Sequence, residues 1–291
     1  MKCAEALMCG HVVALLLLSA PLAAQGSSAD ADALRAEYRQ LGAELQRAPV
    51  GAPLHLQSQE KDGFVQGHIH AVLDQPFAAA RGALSEAAAW CELLLLASNV
   101  KACASRVAGT AARVELKVAT TIRQAADEAP VLGFQWHRTV SDPDFLRIEM
   151  RAEEGPAGTR NYRLDAQLVE LDRTRSFLRL SYEFGYSNAG GVAIRLYLAT
   201  IARAKVGFTV EDDLPVRGLR GVVERNTMRY FIAVRTYLEA RAGSHQLETM
   251  LGNWYATADK YPSQLRELSR EEYLAMKRVE FAAHNRRMVA P

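Results

Sequence analysis

Cysteine is scarce in this sequence, four residues in 291, and aromatic residues make up only 8%. A disulfide-dense secreted scaffold is thereby excluded. Charge of one sign is missing too: 35 basic against 33 acidic residues leave a formal charge of +2. That gives no electrostatic footprint for nucleic acid, and no nucleic-acid partner is expected. Beyond the N-terminal segment, no run approaches the roughly 20 apolar residues that span a bilayer. Reaction signatures are absent as well: no Gly-rich phosphate loop, Gly-x-Ser-x-Gly elbow, His-Glu-x-x-His or Cys-x-x-Cys. What remains is an ordinary globular composition, 49% hydrophobic and 23% charged, with no internal repeat and ample length for a core.

Residues 1–24 read as a secretory signal peptide. Lys2 gives a thin positive start, offset by Glu5; residues 12–18 are apolar, and Pro21, Leu22, Ala23 and Ala24 end in small side chains. Cleavage near Ala24 makes the protein periplasmic or secreted and leaves no transmembrane span. Cys9 precedes the apolar run, where a lipoprotein box would follow it. Residues 25–53 form a linker (25–30) and an amphipathic helix (31–48) with Leu34, Tyr38, Leu41 and Leu45 on one stripe. Packing of this helix on the domain is expected over docking on a partner.

Strand patterns dominate residues 64–186. Val65, Ile69 and Leu73 share a face of the first strand, opposite Gln66, His68 and His70. The same alternation recurs with Val114, Leu116 and Val118; Leu132, Phe134 and Trp136; Leu146, Ile148 and Met150; Tyr162, Leu164, Ala166 and Leu168; and Leu178, Leu180, Tyr182 and Phe184. Period two repeated this often predicts an antiparallel sheet with one apolar and one wet face. Residues 153–158 and 171–174 are turns. Short helices are expected from Pro76 to about residue 84, with Asp74 as a cap, and over 86–96. Later helices are expected over 190–205, over 218–241 with Val223, Thr227, Tyr230, Val234, Tyr237 and Leu238 on a stripe, and beyond Leu247 with a break at Tyr261 and Pro262.

A strand, two short helices, an antiparallel run and a long amphipathic helix form a distinctive order. With residues 67–73 leading into Asp74, Gln75, Pro76 and Phe77, the Ala-Trp-Cys-Glu-Leu-Leu run at 89–94, and residues 220–238 as the long helix, the chain resembles the START-like and polyketide-cyclase-like superfamily (SRPBCC). The resemblance implies an α+β helix-grip fold, a curved antiparallel sheet wrapped around the long helix, over residues 54–241. A C-terminal helical extension occupies 242–291.

The resemblance also implies a partner: a lipid or other hydrophobic small molecule held in an internal cavity, with no cofactor. Two alternatives stand beside it, a cyclase-like or hydrolase-like enzyme on the same fold and a non-catalytic envelope interaction protein with a filled cavity, touching other envelope proteins or the membrane surface. The candidate ligand-binding residues are Trp136, Arg138, Tyr162, Tyr182 and Tyr186 on the apolar face, with Arg225, Asn226, Tyr230 and Val234 on the helix. Aromatic rings with a polar tip suit a pocket as well as a core. Arg225 and Asn226 could hold a ligand carboxylate or phosphate at the cavity mouth, with Lys101 and Arg203 joining the rim. A structural network tying Arg225 or Arg229 to sheet carboxylates is the competing reading.

His68 and His70 form a His-x-His pair without an evident third ligand, so they are read as solvent-facing and no metal is expected. No catalytic residue is assigned: His137, Glu149 and Glu183 fall on the wet face. Signal removal takes Cys3 and Cys9 with it. Cys91, in the short helix after Trp90, and Cys103, on the following strand, are then expected to form one structural disulfide.

Overall fold

Asp62 and Gly63 take positive φ values of 52° and 78°. A two-residue hairpin turn requires that left-handed pair, and Asp-Gly supplies it at little cost. The turn joins β1 (Leu54–Lys61) to β2 (Phe64–Leu73), with Lys61 opposite Phe64. This computed structural model describes residues 23–46, 53–108, 111–187, 205–241 and 246–289. The alternation argument places the first strand at Val65; the structure has β1 before it. β1 buries Leu54 but carries polar residues on both faces from Gln57 to Lys61, as a half-covered edge strand can.

Six more strands complete the sheet: β3 (Val100–Ala108), β4 (Ala111–Val118), β5 (Val131–Ser141), β6 (Phe145–Glu154), β7 (Thr159–Glu170) and β8 (Ser176–Tyr186). Their order is β1-β2-β8-β7-β6-β5-β4-β3, antiparallel throughout. Two short helices, α3 (Phe77–Leu84) and α4 (Ala87–Leu94), carry the chain from β2 to the far edge. α3 starts after Pro76 without a side-chain cap, so Asp74 does not play that part. The disulfide joins Cys91 of α4 to Cys103 of β3, with Cα atoms 5.4 Å apart.

The apolar residues of alternate positions line the inner face, and α5 (Gly218–Ala240) lies across them against β2, β1 and β8. Contact is closest at Gly67, where a Cβ would fall 2.6 Å from Thr227 Oγ1. Only glycine lets the helix approach the strand there. An eight-stranded antiparallel sheet wrapped on one long helix is the helix-grip fold. Before α5 the chain makes a small hairpin, β9 (Val210–Glu211) with β10 (Leu214–Pro215).

The outer face is not uniformly wet. Val72, Phe145, Val169 and Phe177 form a second buried cluster there with Ala31, Leu34 and Leu45. The last three belong to α1 (Ala23–Gln40) and α2 (Gly42–Leu45), so the N-terminal helix packs on the sheet. α1 runs through the segment read as a linker, because its Ala, Ser and Asp residues include no proline to stop a helix. It ends at Gln40 instead of residue 48, and Gly42 opens the separate turn α2.

The C-terminal residues form α6 (Gln246–Asp259) and α7 (Arg270–Val289). Their buried Leu251, Trp254, Tyr273 and Phe281 belong to the same apolar cluster as the sheet. α7 lies along β3, the sheet's other edge. Tyr273 Oη donates to Leu96 O at 2.8 Å, and Lys277 Nζ donates to Ala97 O at 2.7 Å and Val100 O at 2.8 Å. Residues 1–22 of the 1–24 segment read as a signal peptide, the helix expected over 190–205 (except Lys205) and Arg203 lie outside the described residues, and Ala23 and Ala24 open α1.

Candidate functional site

Tyr162 of β7, Tyr182 of β8 and Tyr230 of α5 meet on the inner face of the sheet. Ring centroids are 6.2 Å apart for Tyr162 and Tyr182 and 5.1 Å for Tyr182 and Tyr230. Strand alternation turns the first two inward, and the helical stripe turns Tyr230 down onto them. Phe184 stacks on Tyr162 at 5.4 Å and Phe134 meets it edge-on at 6.4 Å. The sequence argument omits both phenylalanines from the ligand set, although their alternation already puts them on this face.

The hydroxyls are fixed by the same geometry. Tyr162 Oη donates to Thr159 Oγ1 at 2.6 Å. The Tyr182 hydroxyl interacts with that of Tyr230 and with the Asn226 side chain. Burial pushes Tyr182 well above the usual tyrosine range, reinforced by Tyr230 and Tyr162. Burial likewise raises Tyr230 to about 12 and raises Tyr162. All three stay protonated near neutral pH, which makes them hydrogen-bond donors and not bases. Asn226 and Tyr230 are half-buried, so the cluster reaches the surface at the helix.

Trp136 continues this wall along β5, two residues from Phe134. It is 8% exposed, and its indole Nε1 has no hydrogen-bond partner among the described residues. A buried donor without an acceptor costs about 1–3 kcal/mol. Val234, one turn beyond Tyr230, is fully buried in the core.

Other candidates are drawn elsewhere. Arg138 is exposed, with Nη1 donating to Ser85 O at 3.3 Å and to Glu86 Oε1 at 3.2 Å. The register shifts between Arg138 and Val140, so this end of β5 leaves the apolar face. Tyr186 is buried, but its hydroxyl donates to Glu60 Oε1 at 2.7 Å and ties β8 to β1. Lys101, expected on a polar rim, is buried under α7, with Nζ donating to Ile122 O at 2.6 Å.

The charges at the start of α5 form a network, though not with sheet carboxylates. Glu224, fully buried, accepts from Ser58 Oγ at 2.5 Å and from the backbone N–H of Phe208 and Thr209 at 2.5 and 2.9 Å. Arg225 Nη1 donates to Val206 O at 3.3 Å, and Arg229 donates to Asn226 Oδ1 at 2.9 Å and Glu267 Oε1 at 2.8 Å. Apart from Ser58 on β1 and Asn226 on the helix itself, the partners lie in the segment before α5 and in the C-terminal residues.

His70 is buried rather than solvent-facing, because α1 covers this part of the outer face, whereas His68 is half-buried and lines a cleft there. His70 Nε2 lies 3.0 Å from Glu37 Oε2 and His68 Nδ1 lies 2.7 Å from Ser181 Oγ. No group of three or more His, Cys, Asp or Glu among the described residues is placed to hold a metal. No helix among them is long and apolar enough to cross a membrane.

No protein-family model matches the chain, and no curated protein matches it. Among solved structures, the chain is similar to an aromatase/cyclase from a Streptomyces species, with 15% identity over 65% of this chain and 98% of that one and a TM-score of 0.41. Human StAR-related lipid transfer protein 5 is similar at 9% identity over 75% of this chain and 99% of that one, TM-score 0.37. A truncated norcoclaurine synthase from Thalictrum flavum is similar at 10% identity over 50% of this chain and 91% of that one, TM-score 0.34. At these identities the likeness concerns the fold alone.

Proposed function

We propose that this is an exported protein that binds a hydrophobic small molecule, a lipid among the candidates, between the sheet and α5. The observation that carries the reading is the Trp136 N–H, without a partner among the described residues, on a wall of aromatic rings that also holds protonated tyrosine hydroxyls. Such a surface suits a largely apolar ligand with one or two acceptors: the rings supply contact area, and the donors fix orientation. Export is supported by the signal-like N-terminal pattern and by the Cys91–Cys103 disulfide, a bond that persists in oxidising compartments.

Native mass spectrometry of protein recovered from the periplasm of an expressing bacterium tests this. The expected result is a bound apolar molecule that is lost on denaturation and depleted in Trp136→Phe, which removes the N–H and leaves a smaller aromatic ring. Protein that is always empty and also fails to bind an apolar fluorescent probe would overturn the reading.

A further inference from the structure

The outer face of the sheet holds a second concave region, which meets the interior site at Tyr162. Three clefts of about 750, 670 and 200 Å³ run into one another there. The largest shares Arg163 and Glu183 with the smallest, and the smallest shares His68 and Arg179 with the one against α1. Together they form a trough that crosses the strands from α1 to Arg113 on β4.

The arginines in the middle of this trough are paired in place. Arg147 Nη2 lies 2.9 Å from Asp165, Arg163 Nε lies 2.6 Å from Glu149, and Arg179 Nη1 lies 3.1 Å from Glu37. Arginines paired this closely present little net field to an ion, yet each keeps further N–H donors in a fixed fork. Neutral groups stand between the pairs. Burial, with Arg179 and His70 nearby, lowers His68 to about 4, so its imidazole is uncharged at neutral pH. Gln66 sits opposite Glu183 across β2 and β8, as His68 sits opposite Ser181. Glu183 has no ion pair among the described residues, and burial raises its carboxyl above the usual range.

Donors and acceptors therefore recur at strand spacing, about 4.8 Å across the sheet, with the central arginines paired and Glu183 standing among them as an acceptor without an ion pair among the described residues. The largest cleft adds apolar surface from Phe64 and from Val131, which is 56% exposed. Alternating hydroxyls and C–H faces on a ligand would match that pattern. We propose that this trough binds a neutral polyhydroxylated chain, an oligosaccharide, laid across the strands. The interior site is on the opposite face of the sheet and meets the largest cleft at Tyr162; Gln66 and Glu183 lie outside the interior site, so variants there test the trough separately.

Titration calorimetry of the mature protein with cellohexaose, chitohexaose and maltohexaose is the test. The expected result is saturable binding of at least one, nearly unchanged when salt is raised from about 0.05 to 0.5 M, a range over which ionic attraction is strongly screened. Glu183→Gln has no ion pair to break and should fold normally while weakening that binding about tenfold, as expected for loss of a charge-assisted hydrogen bond. Gln66→Ala serves as the second variant, and both should leave binding of the apolar interior probe unchanged. Failure of all three sugars to bind would overturn the proposal. So would binding that collapses with salt, or binding equally tight in both variants.

Discussion

Lys277 offers the most direct check on how the C-terminal helix is held. It is fully buried, with Nζ donating to Ala97 O, Val100 O and, at 2.7 Å, Glu280 Oε2. Burial lowers its pKa from the ordinary 10.5 to about 8, with the neighbouring Lys101 acting in the same direction and Glu280 opposing. In the unfolded chain the amine keeps its proton up to about 10.5, whereas the folded protein gives it up near 8. Between those values the unfolded state binds more protons, so the unfolding free energy rises with pH, by about 1.4 kcal/mol per pH unit. The full cost of burying the charge, about 3 kcal/mol, is present below pH 8 and gone above pH 10.5. Guanidinium unfolding at pH 7, 8, 9 and 9.5 reads this out, with about 2 kcal/mol gained between the last three points. The window closes before the raised tyrosines titrate. In Lys277→Met the slope should vanish. Stability at pH 7 is a poor diagnostic, because loss of the donor to three acceptors offsets removal of the buried charge. Parallel pH profiles for the two proteins would refute the argument.

Replacing Cys91 and Cys103 together with alanine should cost about 3 kcal/mol in the chain-entropy account, and thiol titration of the unreduced, unfolded mature protein should find no free thiol. Tyr230→Trp, at a half-buried position, should weaken apolar-probe binding with little change in melting temperature. Val234→Trp, at a fully enclosed one, should cost about 1–3 kcal/mol by overpacking. Glu224→Gln removes a charge that three donors converge on and should destabilise by about 1–3 kcal/mol, measured by urea unfolding. A chain truncated after Arg241 loses the Trp254 and Tyr273 packing and the cover on β3, and should be recovered as aggregate; a monomeric, cooperatively unfolding product would show that residues 242–291 are a dispensable appendage.

The inner face was legible because it depends on period alone. Val114, Phe134, Ile148, Leu164 and Leu180 each alternate with polar neighbours, and alternation fixes which side chains share a side of a strand wherever the register lies. The long helix was equally plain, since Val223, Thr227, Tyr230 and Val234 recur at helical spacing and no other stripe of that length competes. Three of the candidate ligand residues, Tyr162, Tyr182 and Tyr230, meet because two independent periodicities aim them at one interface.

Exposure was harder to read, because it is a property of what lies on top. His70 and Val72 belong to the polar side of β2 by alternation, yet both are buried by a helix some thirty residues earlier in the chain. Ala31, Leu34 and Leu45 announce that this helix has a partner face, but its target, Phe145 with Val169 and Phe177, is scattered over three strands. Lys101 shows the same limit from the other end of the chain. A lysine near a predicted strand reads as rim until α7 is laid along β3, and nothing local signals that Tyr273 and Lys277, some 175 residues away, will supply the donors that the edge carbonyls need. Local periodicity determines which groups share a face; the long-range docking of α1 and α7 determines which of those faces water can reach.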